Sequence, residues 1–501
     1  MVLPPARDTW RGGPSTRRAR RTGCVTPYPS ATMWLVNPTS AALDAATAKM
    51  RSAGVADVAV DVFRQAWTEL AQGRSGAIGE DDIEPVTELD SLADLDPDAD
   101  PTALGRTAVV KLNGGLGTSM GMDRAKSLVP VREGRSFLEL TIEQVRRARE
   151  RSGARLPLVL MNSFRTREDS LAVLARHPDL AVEGVDPDFL QSQEPKLLAE
   201  DLSPVRWPAN PELEWCPPGH GDLYPSLLAS GMLEQLRDAG FRYAMVSNSD
   251  NVGAAPSAAI ADWFARSGAP LAMEVCRRTG ADRKGGHLAL RREDGRLILR
   301  EKAQAAPADA DAFGDIERHR YFNTNTLWLD LDQVAAVLRE RGGVLGLPLI
   351  RNEKTVDPTD PTSPSVVQIE TAMGSAIEVF DGATAIEVPR SRFRPVKTTD
   401  DLLVLRSDCF ELTDDAELRP ACDPLPLVTL GDHYTTLAAF ESRFPHGAPS
   451  LRQARSLTVE GDWTFGRSVR VVGEAVLGST AGARPVPDHS TVGPDGVQAA
   501  G

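Results

Sequence analysis

Apolar positions along the chain fall into runs and stripes that predict alternating strands and helices. From residue 40 to about residue 71 they recur at helical spacing: Leu43, Ala46 and Met50 share one face, and Val55, Val58 and Val62 continue beside Phe63 and Trp67. Residues 76–103 are acidic and carry prolines, which predicts an irregular connection. Farther on, Ser136 is placed to cap a helix whose apolar face is Phe137, Leu138, Ile142, Val145 and Ala148, stopping at Ser152-Gly153. A buried-strand run at 156–160 ends on Met161-Asn162-Ser163, and a helix follows through Leu171 and Leu174. Further strands are predicted at 243–246, 271–275, 288–291, 297–299 and 326–329. This alternation implies an α/β fold with a mostly parallel sheet and ligands beyond the strand C-terminal ends. Asn113, Asn162 and Asp250 each follow an apolar run, where such ligands would sit.

The period changes at the C-terminus. Leu457, Trp463, Val469 and Ala475 are six apart, and Val459, Phe465, Val471 and Leu477 form a second such series two positions later. Two apolar series at that period predict a short hexapeptide β-helix, with Gly461 and Gly473 at turns.

The stretch that carries the most chemistry is 108–126, AVVKLNGGLGTSMGMDRAK. An apolar strand feeding a glycine-rich loop brings bare backbone N–H groups up to a phosphate or a base. A Cβ would block that approach, and Lys126 adds a mobile positive charge. The spacing fits neither a Walker A loop nor the dinucleotide fingerprint, since Gly115, Gly117 and Gly121 leave the wrong final gap.

Composition narrows the function classes. A chain of 501 residues has room for about two to four domains. Its net charge of −14 argues against a general nucleic-acid surface but leaves room for a local phosphate site. Five scattered cysteines without a C-x-x-C pair predict neither a disulfide framework nor a zinc ribbon and suit a reducing cytoplasm. No apolar run reaches the roughly 18 residues of a membrane span. Residues 1–32 hold six arginines and no apolar core, so they are expected to be a disordered or over-called extension ahead of Met33 and not a secretory signal.

Six further clusters accompany the glycine loop, in order: FLQSQEPKL (189–197), WCPPGHGDLY (215–224), VSNSDN (246–251), KGG with LREKAQ (284–286 and 299–304), FNTNTLW (322–328) and VPRSRFRPVK (388–397). Together with KLNGGLGTSMG they closely resemble the eukaryotic-type UDP-glucose pyrophosphorylase family, from about residue 111 to about residue 412 and into the hexapeptide tail.

The resemblance implies a Rossmann-like, GT-A-like nucleotidyltransferase core with a mixed, mostly parallel sheet and a C-terminal left-handed β-helix. The boundaries expected are an N-terminal helical segment at 33–105, a catalytic domain at 106–412, a connection at 413–455 and the β-helix and tail at 456–501. The reaction implied joins UTP and glucose 1-phosphate into UDP-glucose and pyrophosphate with Mg²⁺. For UTP the implied contacts are Leu112, Asn113, Gly114, Gly115, Lys126, Gln191, Gly219, Asp250 and Lys397. For the sugar phosphate they are His220, Asn248, Ser249, Asp250, Asn251, Gly286, Glu301, Asn323 and Asn325. Lys126 and Lys397 are the implied catalytic pair, and Asp250 the implied metal carboxylate. Small-molecule partners, no nucleic acid, no membrane and self-association through the tail complete the expectation.

Each residue also has a plainer reading. Asp250 could cap a turn, and Glu301 could pair with Arg300 or Lys302. Asn323 and Asn325, by contrast, lie two apart and on a strand would share one face, which favours a pocket. Arg124-Ala125 stands where the family has Gly-Pro before the lysine, which bears on how the loop closes. Rival substrates are galactose 1-phosphate and N-acetylglucosamine 1-phosphate. A silent UDP-sugar binder would be expected to lack Lys126, Asp250 or Lys397, and all three are present.

Overall fold

The strand before the glycine loop, Thr107–Asn113, is buried along nearly its whole length. In this computed structural model, which describes residues 39–74, 76–479 and 481–499, the arginine-rich stretch 1–32 lies outside the described residues. Leu158–Asn162 flanks the strand on one side and Tyr243–Asn248 on the other, both parallel to it. The sheet order is Asp90–Ser91, Thr384–Glu387, Leu271–Arg277, Tyr321–Asp330, Tyr243–Asn248, Thr107–Asn113, Leu158–Asn162, Asp188–Leu190. Neighbours in that series are parallel except where Tyr321–Asp330 runs against both of its partners. The fold is therefore α/β with a mixed, mostly parallel sheet.

Strands buried on both faces need cover on both. Leu223, Leu227, Leu236, Val334 and Leu338 pack one face, and Leu138, Ile142, Val145, Ile260 and Phe264 the other. The helix predicted after Ser136 is Phe137–Ser152. Ser136 Oγ accepts from Glu139 N–H (3.2 Å) and the Glu139 carboxylate accepts from Ser136 N–H (2.9 Å), a capping box. Gly153, at φ +68, ends it. Each such cap stabilises a helix by about 1 kcal/mol.

The structure differs from the sequence pattern in two places. The helical stretch from residue 40 is two helices, Ser40–Ser52 and Asp57–Ala71, separated by Gly54 at φ +76. The apolar period runs through the break because both helices cover one cluster with Leu197, Val367 and Ile369. The connection 76–103 contains Ile83–Pro85 and Asp90–Ser91, which pair with His287–Arg291 and Thr384–Glu387 at the sheet margins. Strands of two or three residues are too short to show a period, and their partners lie about 200 to 300 residues away in sequence.

At the C-terminus, Leu427–Leu430, Ser450–Val459, Arg470–Leu477 and Thr491–Gly493 pair in parallel. Trp463–Phe465 pairs in parallel with Arg484–Val486. Leu457 stands opposite Ala475 and Val459 opposite Leu477, so the repeat returns after three six-residue units. Leu457, Val459, Phe465, Val469, Val471, Ala475 and Leu477 are buried. They share a core with Met120, Val129 and Phe137 from beside the glycine loop. No helix among the described residues is long and apolar enough to cross a membrane.

Candidate active site

The glycine loop is closed at its base. Lys126 N–H donates to Gly115 O (3.1 Å), and Leu116 bridges to Ala125. Ala125 is buried, while Arg124 turns outward toward Asp169 at 3.9 Å. The loop thus closes with Arg124-Ala125 in place.

Gln191 lies directly on the loop. A Cβ on Gly114 would fall 2.3 Å from Gln191 Oε1, so glycine leaves room for that amide where it stands. Asn162 O holds the Gln191 backbone N–H at 2.8 Å. The Asn113 side chain faces inward instead, donating to Asn162 Oδ1 (2.7 Å) and Ser170 Oγ (2.8 Å). It ties strand ends together, leaving the backbone of 112–115 as what the loop can offer a ligand. Gly114, Gly115, Gln191, Lys196, Trp215 and Lys354 are among the residues lining a cleft of about 620 Å³, a size suited to a nucleotide.

Gly219 and His220 follow Pro217, which lines that cleft, and pack against the segment 371–373. Gly219 has φ +80, and a Cβ there would sit 2.5 Å from Thr371 O and 2.8 Å from Thr371 N. His220 Nδ1 accepts from Met373 N–H at 3.0 Å, and burial lowers its pKa to about 4. An uncharged imidazole that accepts at Nδ1 carries its hydrogen on Nε2, which leaves Nε2 as a donor.

The loops after two parallel strands start side by side. Asn248 stands opposite Leu112, and Ser249 N–H donates to Leu112 O (3.1 Å). Asp250 then meets the glycine loop's lysine: Lys126 Nζ donates to Asp250 Oδ2 at 2.6 Å, both side chains largely shielded. Asp250 forms an ion pair here. Among the described residues no three His, Cys, Asp or Glu groups converge to hold a metal by themselves. One carboxylate suits a cation that brings its remaining ligands as phosphate and water, as Mg²⁺ does.

Asn251 anchors a distant segment. Its Nδ2 donates to Arg392 O (3.1 Å), and its Oδ1 accepts from Arg394 N–H (2.8 Å) and Gly253 N–H (3.2 Å). The amide is engaged by backbone and positions the chain that leads to Lys397. Lys397 itself is exposed; its N–H donates to Asp401 Oδ2 (2.7 Å) at the start of helix Thr399–Arg406.

Elsewhere, a Cβ on Gly286 would fall 2.5 Å from Glu301 Oε2. Burial raises the Glu301 carboxyl. Arg300 points away from it, to Glu80 (2.5 Å) and Asp309 (2.8 Å). Asn323 and Asn325 do not share a regular strand face. The register with Leu271–Arg277 shifts between Glu274 and Val275, and Asn325 takes φ +54. This bulge still brings them together, with Asn323 Nδ2 donating to Asn325 Oδ1 (2.9 Å).

Sequence reasoning missed a set of buried charged groups. Lys111 Nζ donates to Ser247 Oγ (2.8 Å) and Ala254 O (3.0 Å), and burial, reinforced by Arg392, lowers its pKa to about 7. Arg392 pairs twice with Glu274 (2.7 and 2.8 Å), which also accepts from Trp328 Nε1 (2.9 Å). Asp222 accepts from Ser192 N–H and Ser226 Oγ, each at 2.6 Å, and burial pushes it up to about 6. The available signal was a lysine ending an apolar strand run, AVVK, directly before the loop.

The family profile of UTP–glucose-1-phosphate uridylyltransferase matches residues 60–471. The enzyme of that name from Solanum tuberosum is 38% identical over 417 residues, covering 82% of this chain and 85% of its own. The one from Saccharomyces cerevisiae is 39% identical over 377 residues, covering 75% and 74%. A crystal structure of a mutant UDP-glucose pyrophosphorylase from Leishmania major in complex with UDP-glucose superposes with TM-score 0.84 at 41% identity, covering 91% of this chain and 99% of that one. The structure titled UDP-glucose phosphorylase from Trypanosoma brucei gives 0.81 at 39%, covering 91% and 100%. With matches of that extent, the chain belongs to the UTP–glucose-1-phosphate uridylyltransferase family.

Proposed function

We propose that this protein transfers the uridylyl group of UTP to glucose 1-phosphate, giving UDP-glucose and pyrophosphate. The observation that carries the reading is the Lys126–Asp250 pair at 2.6 Å beside the glycine loop. It sets a mobile cation and a carboxylate where the nucleotide's phosphates would lie. The phosphate oxygen of glucose 1-phosphate is already anionic, so in-line attack on the α-phosphorus needs no side-chain base. The protein's work is alignment and charge neutralisation. Gln191 offers an amide that both donates to and accepts from a uracil edge. Gly114, Gly115 and Gly219 let backbone come close to the nucleotide. His220 donates to the sugar phosphate, and Glu301, Asn323 and Asn325 supply acceptors and donors for hydroxyls. Lys126 neutralises the phosphates, with Lys397 closing from the segment that Asn251 anchors. Mg²⁺ bound at Asp250 would supply a further positive charge to the phosphates.

Three further readings belong to this proposal. The C-terminal parallel strands form a hexapeptide-type, left-handed β-helix, supported by the return of the repeat at Leu457 and Ala475. Exposed Leu427 and Val476 on that sheet make it the self-associating surface. The protein works in the cytoplasm, as its unpaired cysteines suit.

The test is pyrophosphate release by the purified protein with UTP and Mg²⁺, supplied in parallel with glucose, galactose and N-acetylglucosamine 1-phosphates. Release with glucose 1-phosphate that EDTA abolishes is the expected result. Preference for another sugar would overturn the substrate. Absence of release while UDP-glucose still binds would leave a silent binder.

A further inference from the structure

Away from the cleft, two thiols meet at the joint between helix Thr399–Arg406 and the C-terminal sheet. Cys409 Sγ and Cys422 Sγ are 2.8 Å apart. Cys409 precedes strand Phe410–Leu412 and Cys422 follows strand Leu418–Pro420, the two arms of one hairpin. Phe410 pairs with Pro420, and Ala421 N–H donates to Cys409 O (2.8 Å), so both sulfurs stand at the hairpin's open end. The other described cysteines are buried and hydrogen-bonded to carbonyls: Cys216 to Glu194 O (3.6 Å) and Cys276 to Pro389 O (3.8 Å). A disulfide bond is about 2.05 Å long. Closing this pair therefore asks for a small rotation of side chains and leaves the hairpin's pairing in place.

We propose that Cys409 and Cys422 are a reversible dithiol–disulfide couple, closed by a small-molecule disulfide such as oxidised glutathione. Cys422 is the more exposed sulfur, and burial pushes the Cys409 thiol up to about 12, so Cys422 reacts first. Its thiolate attacks one sulfur of the glutathione disulfide and expels one glutathione thiolate. Cys409 then gives its proton to water, attacks Cys422 Sγ and expels the second. The two cysteines lose two electrons and two protons, and glutathione disulfide becomes two glutathione thiols.

The bond would close a ring through the hairpin at a joint that is already tethered on both sides. Arg132 donates to Ser407 O and Phe410 O (both 2.8 Å), while Asp408 accepts from Ser450 Oγ (2.6 Å) and Leu451 N–H (2.9 Å). Oxidation therefore closes the hairpin on itself between these tethers and constrains the unfolded chain.

Full-length native protein is incubated with oxidised glutathione, digested under thiol-blocking conditions and mapped by mass. The expected result is a 409–422 linked peptide pair lighter by two hydrogens, a melting temperature raised by several degrees, and reversal of both by dithiothreitol. Cys422→Ser should lose the link and the shift while melting like the reduced parent; Cys216→Ser should keep both. Glutathione adducts without the 409–422 link, or a link that forms only in denaturant, would overturn the proposal.

Discussion

On the side of the cleft proposed to take the nucleotide, the residues rest on regular parallel register. Leu112 and Asn248 are opposite one another at adjacent strand ends, and glycines let Gln191 and Thr371 lie against bare backbone. A charged pair, Lys126–Asp250, is set between the two loops. The proposed sugar side takes its two asparagines from the one strand that runs against its neighbours in the principal series. That strand's register is broken by a bulge, its two amides are bonded to each other, and the carboxyl of Glu301, raised by burial, comes from the end of Leu297–Arg300. The difference follows from what each half is proposed to hold. Phosphates need charge and close backbone, which a loop after a parallel strand supplies. Hydroxyls need matched donors and acceptors at irregular angles, which a regular strand face does not present.

The largest expected effect falls on the charged half. Lys126→Ala should lower kcat by about 10²–10³, the usual consequence of removing one preorganised donor. A loss below about tenfold in steady-state turnover would contradict its role. Gly219→Ala comes next, because the new Cβ meets the Thr371 backbone and the position needs φ +80. Soluble protein with KM for UTP raised at least about tenfold, or failure to fold, is expected; parent-like kinetics and melting would show that the Thr371 contact is not where the geometry puts it.

The sugar half should respond through KM. Glu301→Gln keeps the side chain's size but replaces one of the two carboxylate oxygens by an NH₂ donor, and should raise KM for glucose 1-phosphate about tenfold.

The smallest effect is a pH slope. The His220 pKa is lowered from its ordinary 6.5 to about 4 in the folded protein. It therefore contributes stability present above pH 6.5 and lost as pH falls toward 4. His220→Asn should flatten melting temperature against pH in that window by a few degrees at most, and an unchanged slope would deny the histidine its uncharged, buried state.

The same contrast explains what could be read in advance. The parallel core, the capped helix Phe137–Ser152 and the strands beneath the glycine loop follow from period, caps and glycine spacing, all of them local signals. Asn323 and Asn325 could be placed near one another, yet their bulge is set by register against Leu271–Arg277. Strands Ile83–Pro85 and Asp90–Ser91 were hidden because their partners are remote. The Glu274–Arg392 pair joins side chains 118 residues apart, and Lys111 finds Ser247 at a separation of 136. No window of sequence contains such pairs. Asn251 was legible as a site residue by position, while its role as an anchor for 392–394 required the fold.

The most direct test of the two-sided cleft is KM for both substrates in Gly114→Ala and Glu301→Gln, measured side by side. In Gly114→Ala the new methyl displaces the flexible Gln191 amide and leaves the sugar wall alone. KM for UTP should then rise about tenfold with KM for glucose 1-phosphate unchanged, and Glu301→Gln should do the reverse. If each variant raised both constants alike, the cleft would be one coupled site and the division drawn between its halves would be wrong.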